Sequence, residues 1–168
     1  MIIIGHKLVE YEPFILVKHI DEIAKFDNLL FTFNQKFIEC AKKFGKKFSV
    51  KTNKIDEILI ANASGAKFII VDKKFAKQIQ DLATNYLFDA KIGVVVSSQR
   101  SLKELAEFGV DSAIFKEAIM NFSPSIFTNL KPKFANFDLK NRLNRLKNNN
   151  LLLKFKKDKH DDIFHNLK

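Results

Sequence analysis

Three times between residues 34 and 115 an amphipathic stretch runs into a glycine and is followed by a short run of β-branched and aromatic residues. Asn34 to Phe44 stops at Gly45 before Phe48-Ser49-Val50-Lys51. Lys54 to Ser64 stops at Gly65 before Phe68-Ile69-Ile70-Val71, and Ser98 to Phe108 stops at Gly109 before Ser112-Ala113-Ile114-Phe115. Glycine suits this place because the residue after a helix often turns left-handed, which a Cβ opposes. A fourth unit, Lys74 to Leu87, reaches Ile92-Gly93-Val94-Val95-Val96 without a glycine stop.

The helical stretches carry apolar residues on one face, as at Ile55, Ile58 and Leu59, whereas the strand runs are nearly continuous in apolar residues. Strands buried on both faces and alternating with helices imply right-handed crossovers and parallel pairing. The expected fold is α/β: an open, mostly parallel sheet of about five to six strands with helices on both faces, flavodoxin-like or Rossmann-like. Strands are expected near 29–33, 47–51, 67–71, 92–96 and 111–115. Ile2-Ile3-Ile4 and Phe14-Ile15-Leu16-Val17 are also strand-like, and Asp21 is expected to cap a short helix. The α/β core spans 1–122. Ser123-Pro124-Ser125 opens a basic, partly helical extension over 123–168.

Charge follows that division. The chain carries a net +10. Residues 131–168 hold eleven Lys or Arg against four Asp, a net of +7, which leaves +3 for the first 130 residues. Within the extension Leu139, Leu143 and Leu146 share a helical face, surrounded by Lys140, Arg142, Arg145 and Lys147. Lys154, Lys156 and Lys157 follow near Phe155. This pattern suits a protein partner, a second copy of the chain or nucleic acid. The opening residues lack the order of a secretory signal, and no apolar run reaches membrane-spanning length, so a cytoplasmic protein without a transmembrane segment is expected. The lone Cys40 sits in a helical pattern and reads as a small buried side chain.

Three segments carry a resemblance: Ile4-Gly5-His6-Lys7-Leu8 with Tyr11-Glu12-Pro13-Phe14, Asn62-Ala63-Ser64-Gly65-Ala66-Lys67, and Ile114-Phe115-Lys116-Glu117-Ala118. Together they resemble a family of small uncharacterised proteins of Campylobacter-like bacteria, over about the first 120 residues, and the resemblance implies no activity. The recurrent helix, glycine and strand is also similar to part of a phosphate-binding (β/α) barrel, although five or six units are too few to close eight.

In open parallel sheets ligands bind beyond the carboxyl ends of the strands, where strand order reverses. That rule selects Asn34, Lys51, Thr52 and Asn53, Asp72 and Lys73, Ser97 and Ser98, and Lys116 with Glu117. An anion would sit at Ser97-Ser98 with Lys51 or Lys116 as counter-charge, and Asp72 would act as a general base or a cation ligand. The competing reading is structural: Ser98 or Ser101 caps one helix and Asp72 another. No glycine-rich phosphate loop, nucleophile elbow or CxxC pair is present, and the four histidines have no metal-ligand spacing, so no cofactor is implied. Two functions compete. The first is a non-catalytic binding or assembly protein working through the extension. The second is a small enzyme or sensor for a phosphorylated or carboxylated metabolite at the strand ends.

Overall fold

A computed structural model of the chain describes residues 1–121. The extension and its seven basic candidates, Lys140, Arg142, Arg145, Lys147, Lys154, Lys156 and Lys157, lie outside the described residues. The α/β class and the open parallel sheet are borne out. The strands are β1 (Ile2–Ile4), β2 (Phe14–Leu16), β3 (Asn28–Thr32), β4 (Lys47–Lys51), β5 (Phe68–Val71), β6 (Lys91–Val96), β7 (Ser112–Phe115) and β8 (Ile119–Asn121). The helices are α1 (Gln35–Lys43), α2 (Ile55–Ala63), α3 (Ala76–Asn85) and α4 (Ser101–Glu107). The sheet therefore has eight strands where five to six are expected. The additional ones are three-residue strands at its margins.

Strand order is β1-β7-β6-β5-β4-β3-β2-β8, and every pairing is parallel. From β2 to β7 each strand lies beside its predecessor. Right-handed crossovers wound in one direction deliver every helix to the same side. Accordingly the buried helix residues Ile38, Ala41, Ile58, Ala61, Ile79, Ala83 and Leu105 all belong to one core, together with Leu29, Phe31, Val50, Ile69 and Val94 of the strands. Helices on both faces would need a reversal of strand order, which β2 to β7 lack.

The opposite face makes a second core from Ile4, Phe14, Leu30, Ile70, Ile114 and Ala118, with Phe68 and Val95 packed against it. These residues come from strands far apart in the order, so the sheet must curl around them. In a flat sheet β2 and β5 would be three spacings, about 14 Å, apart. Yet the rings of Phe14 and Phe68 meet edge to face with centroids at 5.5 Å. The link from β7 to β8 requires the same curvature. Only Lys116–Ala118, a 3₁₀ turn, joins Phe115 to Ile119, which pairs with Phe14 at the far margin. Four Cα steps reach at most about 14 Å. Six flat strand spacings would need about 29 Å.

Small side chains on the concave face leave room for the large ones. Ser49 lies between Phe48 and Val50, both in the helix-side core, so alternation aims it inward between the strands carrying Phe14 and Phe68. Its hydroxyl is buried and has no hydrogen-bond partner among the described residues. An unpaired buried hydroxyl costs about 1–3 kcal/mol. Ser49→Ala is therefore expected to raise unfolding free energy by about 1 kcal/mol in urea titrations. A fall instead would assign the hydroxyl a stabilising bond.

Helix ends follow the sequence pattern with one exception. After α1, Gly45 adopts φ +60 while its N–H and that of Lys46 bond back to the carbonyls of Lys42 and Ala41 at 3.0 and 2.9 Å. After α3 the same two bonds recur, but Leu87 occupies the left-handed position at φ 51. Its side chain is 86% exposed and gains little from packing. Leu87→Gly is expected to add about 0.5–1 kcal/mol, the left-handed strain relieved exceeding the entropy glycine gives the unfolded chain. Chemical denaturation would show it, and a loss of stability would mean that Leu87 packs.

The short helix at the amino-terminal side is a 3₁₀ segment, Ile20–Lys25, preceded by His19 rather than capped by Asp21. Glu22 stabilises its start: the carboxylate accepts from the backbone N–H of Lys18 at 2.9 Å and of His19 at 3.1 Å. Asp21 instead pairs with Lys25 at 3.4 Å on the exposed surface.

Candidate functional site at the carboxyl ends of the strands

One-directional winding carries the candidates to consecutive strand ends. Asn34 follows β3, Lys51 ends β4 with Asn53 just beyond, Asp72 follows β5, Ser97 and Ser98 follow β6, and Lys116 follows β7. The crevice expected at a reversal of strand order has no counterpart in this span. The candidates instead lie along one rim of the curled sheet.

Asn53 and Asp72 are brought together. The Asn53 amide donates to the Asp72 carboxylate at 2.8 Å, and its carbonyl oxygen accepts the Asp72 backbone N–H at 2.8 Å. This reciprocal pair ties the end of β4 to the end of β5. Asp72 makes no side-chain cap to the 3₁₀ turn Lys73–Phe75 that precedes α3, so the capping role expected for it is replaced by a bond between strands. Asn34 is a helix cap: its Oδ1 accepts the N–H of Lys36 at 3.0 Å and of Phe37 at 3.4 Å at the start of α1.

Ser98 and Ser101 divide differently from expectation. The Ser98 hydroxyl accepts the Arg100 N–H at 3.3 Å within the turn before α4, whereas Ser101 is the first residue of that helix and does not cap it. Glu104, in the first turn of that helix, forms an ion pair with Lys73. Ser97 is exposed beside Lys116, because Val96 and Phe115 are paired neighbours on β6 and β7. Lys51 and Lys116 are exposed and have no hydrogen-bond or ion-pair partner among the described residues.

Two polar groups at this rim form contacts that the sequence argument does not give, one of them at the candidate Thr52. The Thr52 hydroxyl, in a buried residue, bonds the Glu57 carboxylate, which also pairs with Lys54 at 3.0 Å. The Thr52 bond, with Lys54 alongside, holds the Glu57 carboxyl below the usual carboxylate range, and Glu57 in turn raises the Lys54 ammonium. The segment Thr52-Asn53-Lys54-Ile55-Asp56-Glu57 contained the signal, a hydroxyl placed ahead of a helix with a carboxylate in its first turn. The second group is His6 at the end of β1. Its Nδ1 accepts the Leu8 N–H at 3.3 Å, its ring lies 5.6 Å from that of Phe115, and it contacts the Gln99 carboxamide. Only folding brings residues 6 and 99 together.

Among the described residues no His, Cys, Asp or Glu cluster has the grouping needed to hold a metal ion. Nor is any helix there long and apolar enough to cross a membrane. Chemically, the candidates at this rim offer two ammonium groups, Lys51 and Lys116, unengaged among the described residues, with several amides and hydroxyls, most of them already bonded to the scaffold. No family model matches the chain, and no curated protein matches it.

Proposed function

We propose that the chain is a non-catalytic binding or assembly protein, whose basic, leucine-bearing extension engages a protein partner, a second copy of itself or nucleic acid. The supporting observation is the use to which the core's polar groups are put. Asn34, Asn53, Asp72, Thr52, Glu57 and Ser98 hold the strand ends and helix starts in place. The concave face beneath them is filled by Phe14, Leu30, Phe68, Ile70 and Ile114. A core spent on its own rigidity suits a platform that presents a charged arm, and +7 of the chain's +10 lies beyond residue 130. Removing 131–168 should abolish associations seen with the full chain in sedimentation and pull-down assays, while the unfolding transition of the core persists. Associations unchanged by the deletion would end this reading.

A second reading rests on Lys51 and Lys116, whose unpaired ammonium groups at the strand ends suit a phosphorylated or carboxylated metabolite. Its test is a thermal-shift screen against such metabolites with the full chain and with a Lys51→Ala, Lys116→Ala double variant. Stabilisation that the double variant loses supports an enzyme or sensor. Equal response from both proteins removes this site.

A further inference from the structure

The opposite rim, at the amino ends of the strands, carries a row of lysines, most of which form no ion pair among the described residues. Lys42 and Lys43 lie in the last turn of α1, and Lys46 and Lys47 lead into β4. Lys67 precedes β5 and Lys91 begins β6. Backbone bonds hold these segments side by side. The Lys67 N–H donates to the Phe48 carbonyl at 2.8 Å, and the Lys91 N–H donates to the Lys67 carbonyl at 3.0 Å. Adjacent strands are about 4.8 Å apart, so the row is continuous across β4, β5 and β6.

Two of these lysines are neutralised locally, Lys46 by Asp27 at 3.0 Å and Lys47 by Glu12 at 3.6 Å. Lys42, Lys43, Lys67 and Lys91 are exposed and have no ion-pair partner among the described residues. The α1 dipole accounts for cations in that helix's last turn. It does not account for Lys67 or Lys91, which stand at strand starts. Next to Lys42 and Lys43, Phe44 leaves 46% of its surface in solvent, an aromatic face beside two unpaired charges.

We infer that this rim binds single-stranded nucleic acid without sequence preference. Unpaired ammonium groups track the phosphates, and Phe44 offers a surface on which a base stacks. Arginine, the residue suited to reading base edges bidentately, is absent from the rim, which accounts for the lack of sequence preference. The exposed aromatic ring favours an unpaired strand over a duplex, whose bases are already stacked. This surface belongs to the core and is separate from the extension proposed to engage partners.

The test is fluorescence anisotropy of the full chain with labelled 20-mers of oligo-uridylate and oligo-thymidylate, titrated across salt. A Lys42→Ser, Lys43→Ser, Lys67→Ser triple variant should make the slope of log K against log salt shallower by about 2, at roughly 0.7 per phosphate contact. Phe44→Ala should weaken binding at least about fivefold with the slope unchanged. An unchanged thermal transition in both variants would show that the fold is intact. A salt slope unaffected by the triple substitution overturns the inference and places any binding on residues 131–168. So does tighter, Phe44-independent binding of a duplex of equal length. Binding to phosphatidylserine vesicles but not to either oligonucleotide would overturn it in favour of a lipid surface.

Discussion

Gly5→Ala should destabilise the chain by about 2–5 kcal/mol, and urea unfolding monitored by circular dichroism would measure it. Gly5 ends β1 at φ +91, where a Cβ would stand 2.8 Å from the Ala118 Cβ and 3.1 Å from both the Ala118 nitrogen and the Phe115 Cβ. Those neighbours are backbone or the first side-chain atom, so no flexible group can swing aside. Overpacking of about 1–3 kcal/mol adds to a left-handed penalty of about 1–2 kcal/mol. Gly45→Ala supplies the comparison: φ is +60, but nothing lies within 4 Å of the added Cβ, so only the backbone penalty of about 1–2 kcal/mol applies. Equal losses in the two variants would mean that β1 does not press against the turn after β7.

Phe14→Ala should cost about 3–5 kcal/mol, the loss expected when a fully buried aromatic leaves a cavity. The more specific measurement pairs it with Phe68→Ala in a double-mutant cycle. The rings touch only because the sheet curls, and an edge-to-face pair contributes about 0.5–1.5 kcal/mol beyond its buried area. Coupling of that size between strands three positions apart is the expected outcome. Strict additivity would fit a flat sheet and contradict the contact.

The parts of this fold legible in the sequence are those specified by near neighbours. Glycine stops at 45, 65 and 109 and the apolar runs after them mark α1, α2, α4 and strands β4, β5 and β7 to within a few residues. The curl is less legible because it depends on which residues share the concave face. Ser49, Gly93 and Ser112 look unremarkable along the chain, yet a Cβ at Gly93 would come within 2.9 Å of the Ile114 Cδ1 and 3.0 Å of the Ser112 hydroxyl. β8 was hidden for a related reason. Three residues, Ile119-Met120-Asn121, show no periodicity, and their pairing with β2 depends on closure around the core.

The candidate rim was legible as a place and less so as chemistry. Consecutive strand ends do carry Lys51, Asn53, Asp72, Ser97, Ser98 and Lys116. Sequence alone does not pair Asn53 with Asp72, nineteen residues away, and so cannot tell a carboxylate awaiting a ligand from one that ties two strands together. Asn34 was ambiguous in the same way, since its type and position suit a ligand contact and a helix cap equally. The cap is what forms.

The pairing of β1 with β7 also has a consequence for how the chain is made. Ile2 aligns with Ser112, and among the described residues β7 is the one strand that β1 pairs with, so residues 2–4, once synthesised, wait for a partner about 110 residues behind them. At synthesis rates of about 5–20 residues per second that wait lasts roughly 5–20 s. Throughout it Ile2, Ile3 and Ile4 form an apolar strand without a template, while the β3 to β6 units can already assemble with their helices. The nascent chain therefore passes through a stage in which β1 has no strand to pair with and lies open to a chaperone or to pairing with a neighbouring chain until β7 emerges.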